Sequence, residues 1–126
     1  MMTESRADLR RRYKEEGRPM GVYAFRNATN GKVLVGASQN LPGAENALRF
    51  QLRMGSHRNR ELQADWKAHG EASFAWEVLD ALKPEPGADP RDELDALERL
   101  WLDELKPYGE RGYNLPSPAG VASDDT

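Results

Sequence analysis

Three stretches of the chain have the hydrophobic pattern of β-strands. Residues 21–26 and 32–35 are rich in β-branched and aromatic side chains, which favour strands. The Asn30-Gly31 pair between them is typical of a tight hairpin turn, because both residue types accept positive φ angles. Residues 74–79 follow a period of two in their apolar positions, which predicts a third strand.

Three further stretches have apolar residues spaced three and four positions apart, which predicts helices with one buried face. These stretches cover residues 44–54, 58–68 and 91–105. Arg49 and Arg53 are expected on a more exposed face of the first of these helices. The positions expected to face the core are Ala44, Ala47, Leu48, Leu52, Leu62, Trp66, Leu94, Leu97, Trp101 and Leu105.

The predicted elements follow the order β-β-α-α-β-α. Their simplest packing is a three-stranded antiparallel sheet flanked by helices, which is an α+β fold. We expect this domain to cover residues 19–115. An additional basic helix is predicted over residues 1–18, and residues 116–126 are predicted to form a disordered tail because they are short of large apolar side chains.

The composition narrows the class of protein further. With 126 residues, the chain is long enough for one domain with a modest core. It contains no cysteine, which excludes disulfides, cysteine-based zinc sites and a thiol nucleophile. Its first residues are charged, unlike a signal peptide, and no apolar run approaches the roughly 20 residues that span a membrane. We therefore expect a cytoplasmic protein with no membrane contact.

The charges are distributed unevenly along the chain. The net charge is −3, which by itself argues against a nucleic-acid-binding protein. Residues 1–79 nevertheless carry an excess of Lys and Arg, whereas residues 80–126 carry an excess of Asp and Glu. This asymmetry allows a basic face on the amino-terminal part, although such charges are also typical of an ordinary solvated surface.

Three motifs that occur in the same order resemble those of the GIY-YIG nuclease family. Gly21-Val22-Tyr23 and the later Leu34-Val35-Gly36 resemble the paired motif that names the family. The stretch GSHRNRELQADWKAHGEASFAWEVLD resembles the corresponding region of phage- and intron-type members, and LERLWLDELKPYGERGYN resembles their last helix and closing Gly-Tyr-Asn. The resemblance covers residues 21–114 and implies the GIY-YIG fold.

This resemblance implies an endonuclease that cuts nucleic-acid phosphodiesters, most simply in double-stranded DNA, with one divalent ion, Mg²⁺ or Mn²⁺. Glu98 corresponds to the metal-binding glutamate of the last helix, and Tyr23 to a tyrosine that helps to activate water. A bound metal ion polarises the phosphoryl oxygen. Both residues also have ordinary interpretations, because a strand tyrosine is often half-buried for packing and Glu98 is one of many glutamates on an acidic helix.

A second group of residues is expected to contact the substrate. Glycines in the hairpin would let a phosphate backbone come close, and arginines would meet phosphates. The histidine and the closing asparagine belong to the resembling motifs, although the histidine could equally pack at the start of the second helix. The expected substrate contacts are Gly21, Gly36, Arg49, Arg53, His57, Arg58 and Asn114.

Two positions depart from the pattern of the family. Leu34 replaces the tyrosine of the second motif, and Ala44 stands where the family has its catalytic arginine. Arg49 is the nearest arginine downstream of Ala44. Because it lies five residues further along the helix, its side chain points in a different direction. An arginine in phosphoryl transfer can contribute on the order of 10³ to 10⁵ in rate. We therefore expect a slow or impaired endonuclease.

The alternative is a non-catalytic nucleic-acid-binding module on the same scaffold. In that case the phosphates would be contacted by the arginines of the expected substrate contacts together with Arg60, Lys67 and the basic cluster at residues 10–14. A degenerate domain that uses its acidic last helix for protein contacts is a third alternative.

Overall fold

The computed structural model describes residues 19–83 and 85–115. The helix expected over residues 1–18 and the tail expected over residues 116–126 lie outside the described residues, so both stay predictions. Within the described part of the chain, no helix is long and apolar enough to cross a membrane.

Three strands form one antiparallel sheet, as the sequence predicts. β1 covers Met20–Asn27, β2 covers Val33–Ser38 and β3 covers Phe74–Leu82, in the spatial order β2-β1-β3. β2 and β3 extend beyond their predicted ends because β1 is long enough to pair with both along its length. A bulge between Val22 and Tyr23 shifts the register of β1 against β3.

Three helices complete the predicted order β-β-α-α-β-α, which is therefore confirmed. α1 covers Leu41–Met54, α2 covers Arg60–His69 and α3 covers Pro90–Leu105. A short 3₁₀ turn, Glu71–Ser73, connects α2 to β3.

The helix starts are fixed by polar caps. The side chains of Asn40, Asn59 and Asp89 each accept a hydrogen bond from a backbone N–H in the first turn of α1, α2 and α3. α1 begins earlier than predicted, at Leu41, and Pro42 lies inside its first turn. α2 begins later than predicted, because its cap follows Arg58.

The sheet separates two apolar clusters, since alternate residues of a strand face opposite sides. On one face, α1 and α2 pack against β1 and β3 through Phe25, Leu48, Leu52, Leu62, Trp66, Phe74 and Tyr113. On the other face, α3 covers a second cluster. Its members are Val22, Ala24, Val33 and Val35 of the sheet with Leu97, Trp101, Leu102 and Leu105 of the helix.

Most of the predicted core positions are buried or half-buried, but Ala47 is exposed. The buried stripe of α1 consists of Leu41, Leu48 and Leu52, with Ala44 half-buried on the same stripe. Ala47 lies beside this stripe and faces the solvent. The prediction for Ala47 was wrong because small alanine side chains carry little information about which helix face is buried.

The segment after α3 returns to the outer edge of β2. Gly112 forms a parallel bridge with Val33, whose carbonyl oxygen accepts a hydrogen bond from the backbone N–H of Tyr113. The side-chain amide of Asn114 then bonds both backbone groups of Val35. The closing Gly-Tyr-Asn therefore covers the first half of an edge strand whose N–H and C=O groups would otherwise be open.

Candidate active site

Tyr23 lies half-buried on the sheet face that α1 and α2 cover, beside the end of the sheet where α1 begins. Its ring stacks on Trp76 of β3, with 4.5 Å between ring centroids and 19° between planes. Tyr23 pairs directly with Gly36 of β2. Its phenol occupies the space that a side chain at Gly36 would fill. The glycine therefore determines where the Tyr23 hydroxyl lies.

Gly21 has a different structural reason. It is buried, and a Cβ atom at this position would overlap the backbone carbonyl oxygen of Asp80 in β3. Close packing of two strands accounts for this glycine. Packing against β3 for Gly21 and against Tyr23 for Gly36 thus accounts for both hairpin glycines, and their contact with a phosphate backbone stays a prediction.

Glu98 is half-buried on α3, and burial raises its pKa, with a further contribution from the nearby charge of Asp95. Burial also raises the pKa of Tyr23, and the charge of Glu98 raises it further. The two side chains therefore lie within electrostatic reach, although α3 covers the opposite face of the sheet. The phenol of Tyr23 lies at Gly36 of β2, an edge strand that α3 also contacts.

The acidic groups around Glu98 suit a weakly bound divalent ion. In the described residues no three or more His, Asp or Glu side chains are grouped as a complete metal site. Mg²⁺ is commonly held by one or two carboxylates while water and substrate phosphates complete its shell. Glu98, with Asp95 one turn earlier on α3, fits this minimal arrangement and would bind the ion only weakly without substrate.

Ala44 leaves the position of the family's arginine without a charge, and the cation whose charge acts on Glu98 is its exposed neighbour on α3, Arg99. Ala44 is half-buried in the first part of α1, and Leu34 packs against the apolar cluster around Phe25. Leu34 therefore contributes packing where a tyrosine would offer a hydroxyl. The site therefore contains a phenol and a carboxyl group, with no positive charge at the position where resemblance to the family would lead one to expect an arginine.

Arg49 and Arg53 already have carboxylate partners. Arg49 bonds Glu45 at 2.9 Å and Glu71 at 3.2 Å, and its guanidinium lies 5.2 Å from the ring centre of Phe25. Arg53 bonds the same Glu71 at 2.6 Å, and this contact lowers the pKa of the carboxylate. Two cations therefore face two anions, which leaves this cluster with little net charge to attract a phosphate.

Asn114 also has its side chain committed to the fold. Its Oδ1 accepts from the backbone N–H of Val35 and its Nδ2 donates to the carbonyl oxygen of Val35, each at 2.8 Å. Because Val35 precedes Gly36, Asn114 holds the strand that lies under the Tyr23 phenol. The structure gives Asn114 a positioning contact with β2, where the sequence predicted a contact with substrate.

His57 and Arg58 lie apart from Tyr23, between the end of α1 and the start of α2. Nδ1 of His57 accepts a hydrogen bond from the backbone N–H of Asn59, so the neutral ring carries its proton on Nε2. Burial and the neighbouring Arg58 charge lower the pKa of His57. This histidine packs near the start of α2, as one of the two interpretations of the sequence proposed.

Sequence reasoning missed a buried polar network at the other end of the hairpin. Asn27 is completely buried and donates to Tyr113 at 3.1 Å and to Nδ1 of His69 at 2.9 Å. The Tyr113 hydroxyl donates to Asp65 at 2.7 Å, and its pKa is raised to about 12, mainly by burial. These groups tie the hairpin to α2. The asparagine follows an apolar run and looks like a turn residue, so no sequence signal separated it from Asn30.

Replacing Glu98 by glutamine is expected to lower the pKa of Tyr23, because a phenolate forms more easily when a nearby negative charge is removed. The pKa should remain above its ordinary value, since burial is the larger cause of the shift. NMR titration of the tyrosine Cζ resonances in ¹³C-labelled protein, without divalent metal, measures the change.

Asp103→Asn is the matched control for this titration. The charge of Asp103 raises the pKa of Tyr108 and is not among the causes of the shift at Tyr23. The control should therefore move the titration of Tyr108 alone, whereas Glu98→Gln should move both. An unchanged pKa of Tyr23 in Glu98→Gln would separate the two residues and contradict a common site.

No protein-family model and no curated protein sequence matches the chain. Among solved structures, it is similar to the catalytic domain of the homing endonuclease I-TevI, at 28% identity and a TM-score of 0.66, covering 78% of this chain and 99% of that domain. It is also similar to a glutamate-to-alanine mutant of the catalytic domain of the intron endonuclease I-TevI, at 26% identity and a TM-score of 0.64, covering 76% and 92%. The chain therefore has a GIY-YIG-like nuclease fold.

Proposed function

We propose that this protein is an endonuclease of the GIY-YIG type that hydrolyses phosphodiesters of double-stranded DNA slowly. The observation that carries the proposal is the arrangement of Tyr23 and α3 around β2: the phenol of Tyr23 lies at Gly36 of this strand, and α3, which carries Glu98, packs against the same strand. Similarity to a homing endonuclease catalytic domain over most of the chain supports the same activity.

The proposed roles follow from the charges of the two residues. The raised pKa of Tyr23 keeps its phenol protonated at neutral pH, so it orients the attacking water or a phosphate oxygen through hydrogen bonds. Glu98 holds Mg²⁺ or Mn²⁺ together with oxygen atoms of the substrate. When bound, such an ion polarises the phosphoryl oxygen and offsets the charge that develops there.

The slow rate follows from the missing cation. A phosphodiester transition state gathers negative charge, and fixed positive groups stabilise it. Ala44 offers no charge, and Arg49 is bound to Glu45 and Glu71. The same observation favours the second candidate function, a module that binds nucleic acid without cutting it.

Nicking of supercoiled plasmid in Mg²⁺ or Mn²⁺ tests the proposal. Wild-type protein should nick the plasmid slowly, and Glu98→Ala should reduce nicking to the level seen with chelator, because the carboxylate that holds the ion is removed. Glu104→Ala, at an exposed glutamate of the same helix, should keep wild-type nicking.

Equal nicking by wild type and Glu98→Ala would indicate a contaminating nuclease and reject the proposal. Absence of nicking by wild-type protein, together with DNA binding that weakens as salt increases, would favour the non-catalytic module.

A further inference from the structure

Most of the basic side chains at the surface of the sheet and α1 are neutralised by acidic neighbours. The described ion pairs join Arg26 to Glu77, Lys32 to Glu61, Arg49 to Glu45 and Glu71, Arg53 to Glu71, and Arg91 to Asp89. Within residues 19–83 and 85–115, the basic residues that form no ion pair are Lys83, Arg99, Lys106 and Arg111, and a group of three beside α2, Arg58, Arg60 and Lys67. These three cations are exposed and lie within one short part of the chain.

The three cations line a single depression of about 590 Å³ between the end of α1 and the outer side of α2. We call it the α2 groove. None of the described carboxylates lines it, so its local charge is strongly positive although the chain as a whole carries −3. Its principal side chains are His57, Arg58, Arg60, Gln63, Ala64 and Lys67.

The wall of the α2 groove is held by hydrogen bonds to the backbone. Gln63 donates to the carbonyl oxygen of Leu52 at 3.0 Å and accepts from the backbone N–H of His57 at 3.1 Å. Asn59 caps α2 and also donates to the carbonyl oxygen of Tyr113 at 2.7 Å. The cations are therefore mounted on a fixed frame, while their own long side chains remain free to adapt.

Two of the three charges of the α2 groove are unfavourable for the helix itself. Arg58 and Arg60 stand at the start of α2, where the helix dipole favours acidic residues. Glu61, the acidic residue of this first turn, is paired with Lys32. Residues that oppose the local preference of the fold and have no ion-pair partner among the described residues are typical of a site that binds an external group.

The distribution of charge also orients the molecule. The exposed carboxylates of α3 lie on the opposite side of the sheet from α1 and α2, which form the layer that covers the face of Tyr23. A polyanion is repelled by the α3 side and attracted to the α2 groove. It therefore approaches the face on which the proposed catalytic tyrosine lies.

We propose that the α2 groove binds the phosphate backbone of double-stranded DNA and supplies the main electrostatic contact of this protein with its substrate. This assignment rests on the proposed function, and it moves the substrate contact away from Arg49 and Arg53, whose charge is neutralised. Arg58, Arg60 and Lys67 contact phosphates of one strand, and Nε2–H of His57 is available to donate to a phosphate oxygen.

Fluorescence anisotropy of a labelled 20-base-pair duplex, measured between low and physiological salt, tests the assignment. Every protein carries Glu98→Ala and the buffer contains chelator, so that binding is measured without cleavage. The triple variant Arg58→Gln, Arg60→Gln and Lys67→Gln should weaken binding by at least about tenfold at low salt. The slope of log affinity against log salt should fall by about 0.9 for each phosphate that the variant no longer neutralises.

The matched control replaces Lys83, Lys106 and Arg111 by glutamine, because these residues also form no ion pair within the described residues. These residues are exposed and lie outside the α2 groove, and their replacement removes the same total charge. The control should change affinity by less than about twofold if the charges act locally. Circular dichroism of each variant checks that the helices remain formed.

Equal weakening by the two triple variants would mean that only the net charge matters and would overturn the assignment. Wild-type affinity in the α2-groove variant would also overturn it. In both cases, the proposed function stands if the protein without Glu98→Ala still nicks plasmid. Two further results would overturn DNA as the ligand of the groove. One is tighter, equally salt-dependent binding of a duplex RNA of the same length. The other is displacement of DNA by a polyglutamate of equal charge.

Discussion

Replacing Ala44 by arginine is expected to raise the rate of plasmid nicking by up to about 10³-fold. Ala44 lies on the sheet-facing stripe of α1 with Leu41 and Leu48, and α1 begins beside the end of β2 that pairs with the start of β1. A long side chain at this position is therefore expected to point toward the sheet face that carries Tyr23. A cation there would stabilise the charge that develops on the phosphoryl group by about 4 kcal/mol.

Ala47→Arg is the matched control, because it adds the same charge to the same helix at an exposed position. It should leave the rate of nicking within about twofold of wild type while strengthening DNA binding slightly. Initial rates at saturating DNA separate the two effects, since a gain in binding alone raises affinity without raising kcat. An equal rate for Ala44→Arg and wild type would contradict the interpretation that a missing cation limits the proposed nicking.

Alanine at the two hairpin glycines should have different main effects, on stability at Gly21 and on activity at Gly36. Gly21→Ala is expected to reduce the free energy of unfolding by about 3 kcal/mol or more, because the new methyl group meets the backbone oxygen of Asp80 and the strands must separate. Gly36→Ala meets the end of the Tyr23 side chain, which can rotate away. Its cost in stability should be about 1 kcal/mol or less.

The effect of Gly36→Ala should appear in activity. The methyl group displaces the Tyr23 hydroxyl from its place over β2, so nicking should fall as far as it does in Tyr23→Phe. The double variant should then be no less active than either single variant, because both remove the same group from the site. Urea denaturation gives the stabilities, and plasmid nicking gives the rates. Wild-type nicking by Gly36→Ala would show that the observed position of Tyr23 is not the one used in catalysis.

The order of elements was predictable because the local signals agree with the tertiary structure. Asn30-Gly31 marks the hairpin, and an Asn or Asp side chain fixes the start of each helix. The ends of β2 and β3 were not predictable from their own sequences. They depend on the length of β1, to which both strands bond.

The site was predictable only as far as sequence motifs reach. Tyr23 and Glu98 stand at positions that resemblance to a family identifies, whereas the neutralisation of Arg49 and Arg53 depends on Glu71, which belongs to a separate turn. Long-range pairs of this kind leave no periodic signal. Asn114 is a second example. The motif identifies an asparagine at this position, but it does not predict that both polar groups of its side-chain amide bond the backbone of Val35.

The return of Gly112–Asn114 to β2 has a consequence for how this chain behaves in concentrated solution. An edge strand with unsatisfied backbone groups is a template for strands of neighbouring molecules. The last few residues of the domain occupy that template on their own molecule, at Val33 and Val35. A chain cut before Gly112 would present this template to its neighbours and associate with them through β2, so the closing tripeptide protects the protein from edge-to-edge pairing.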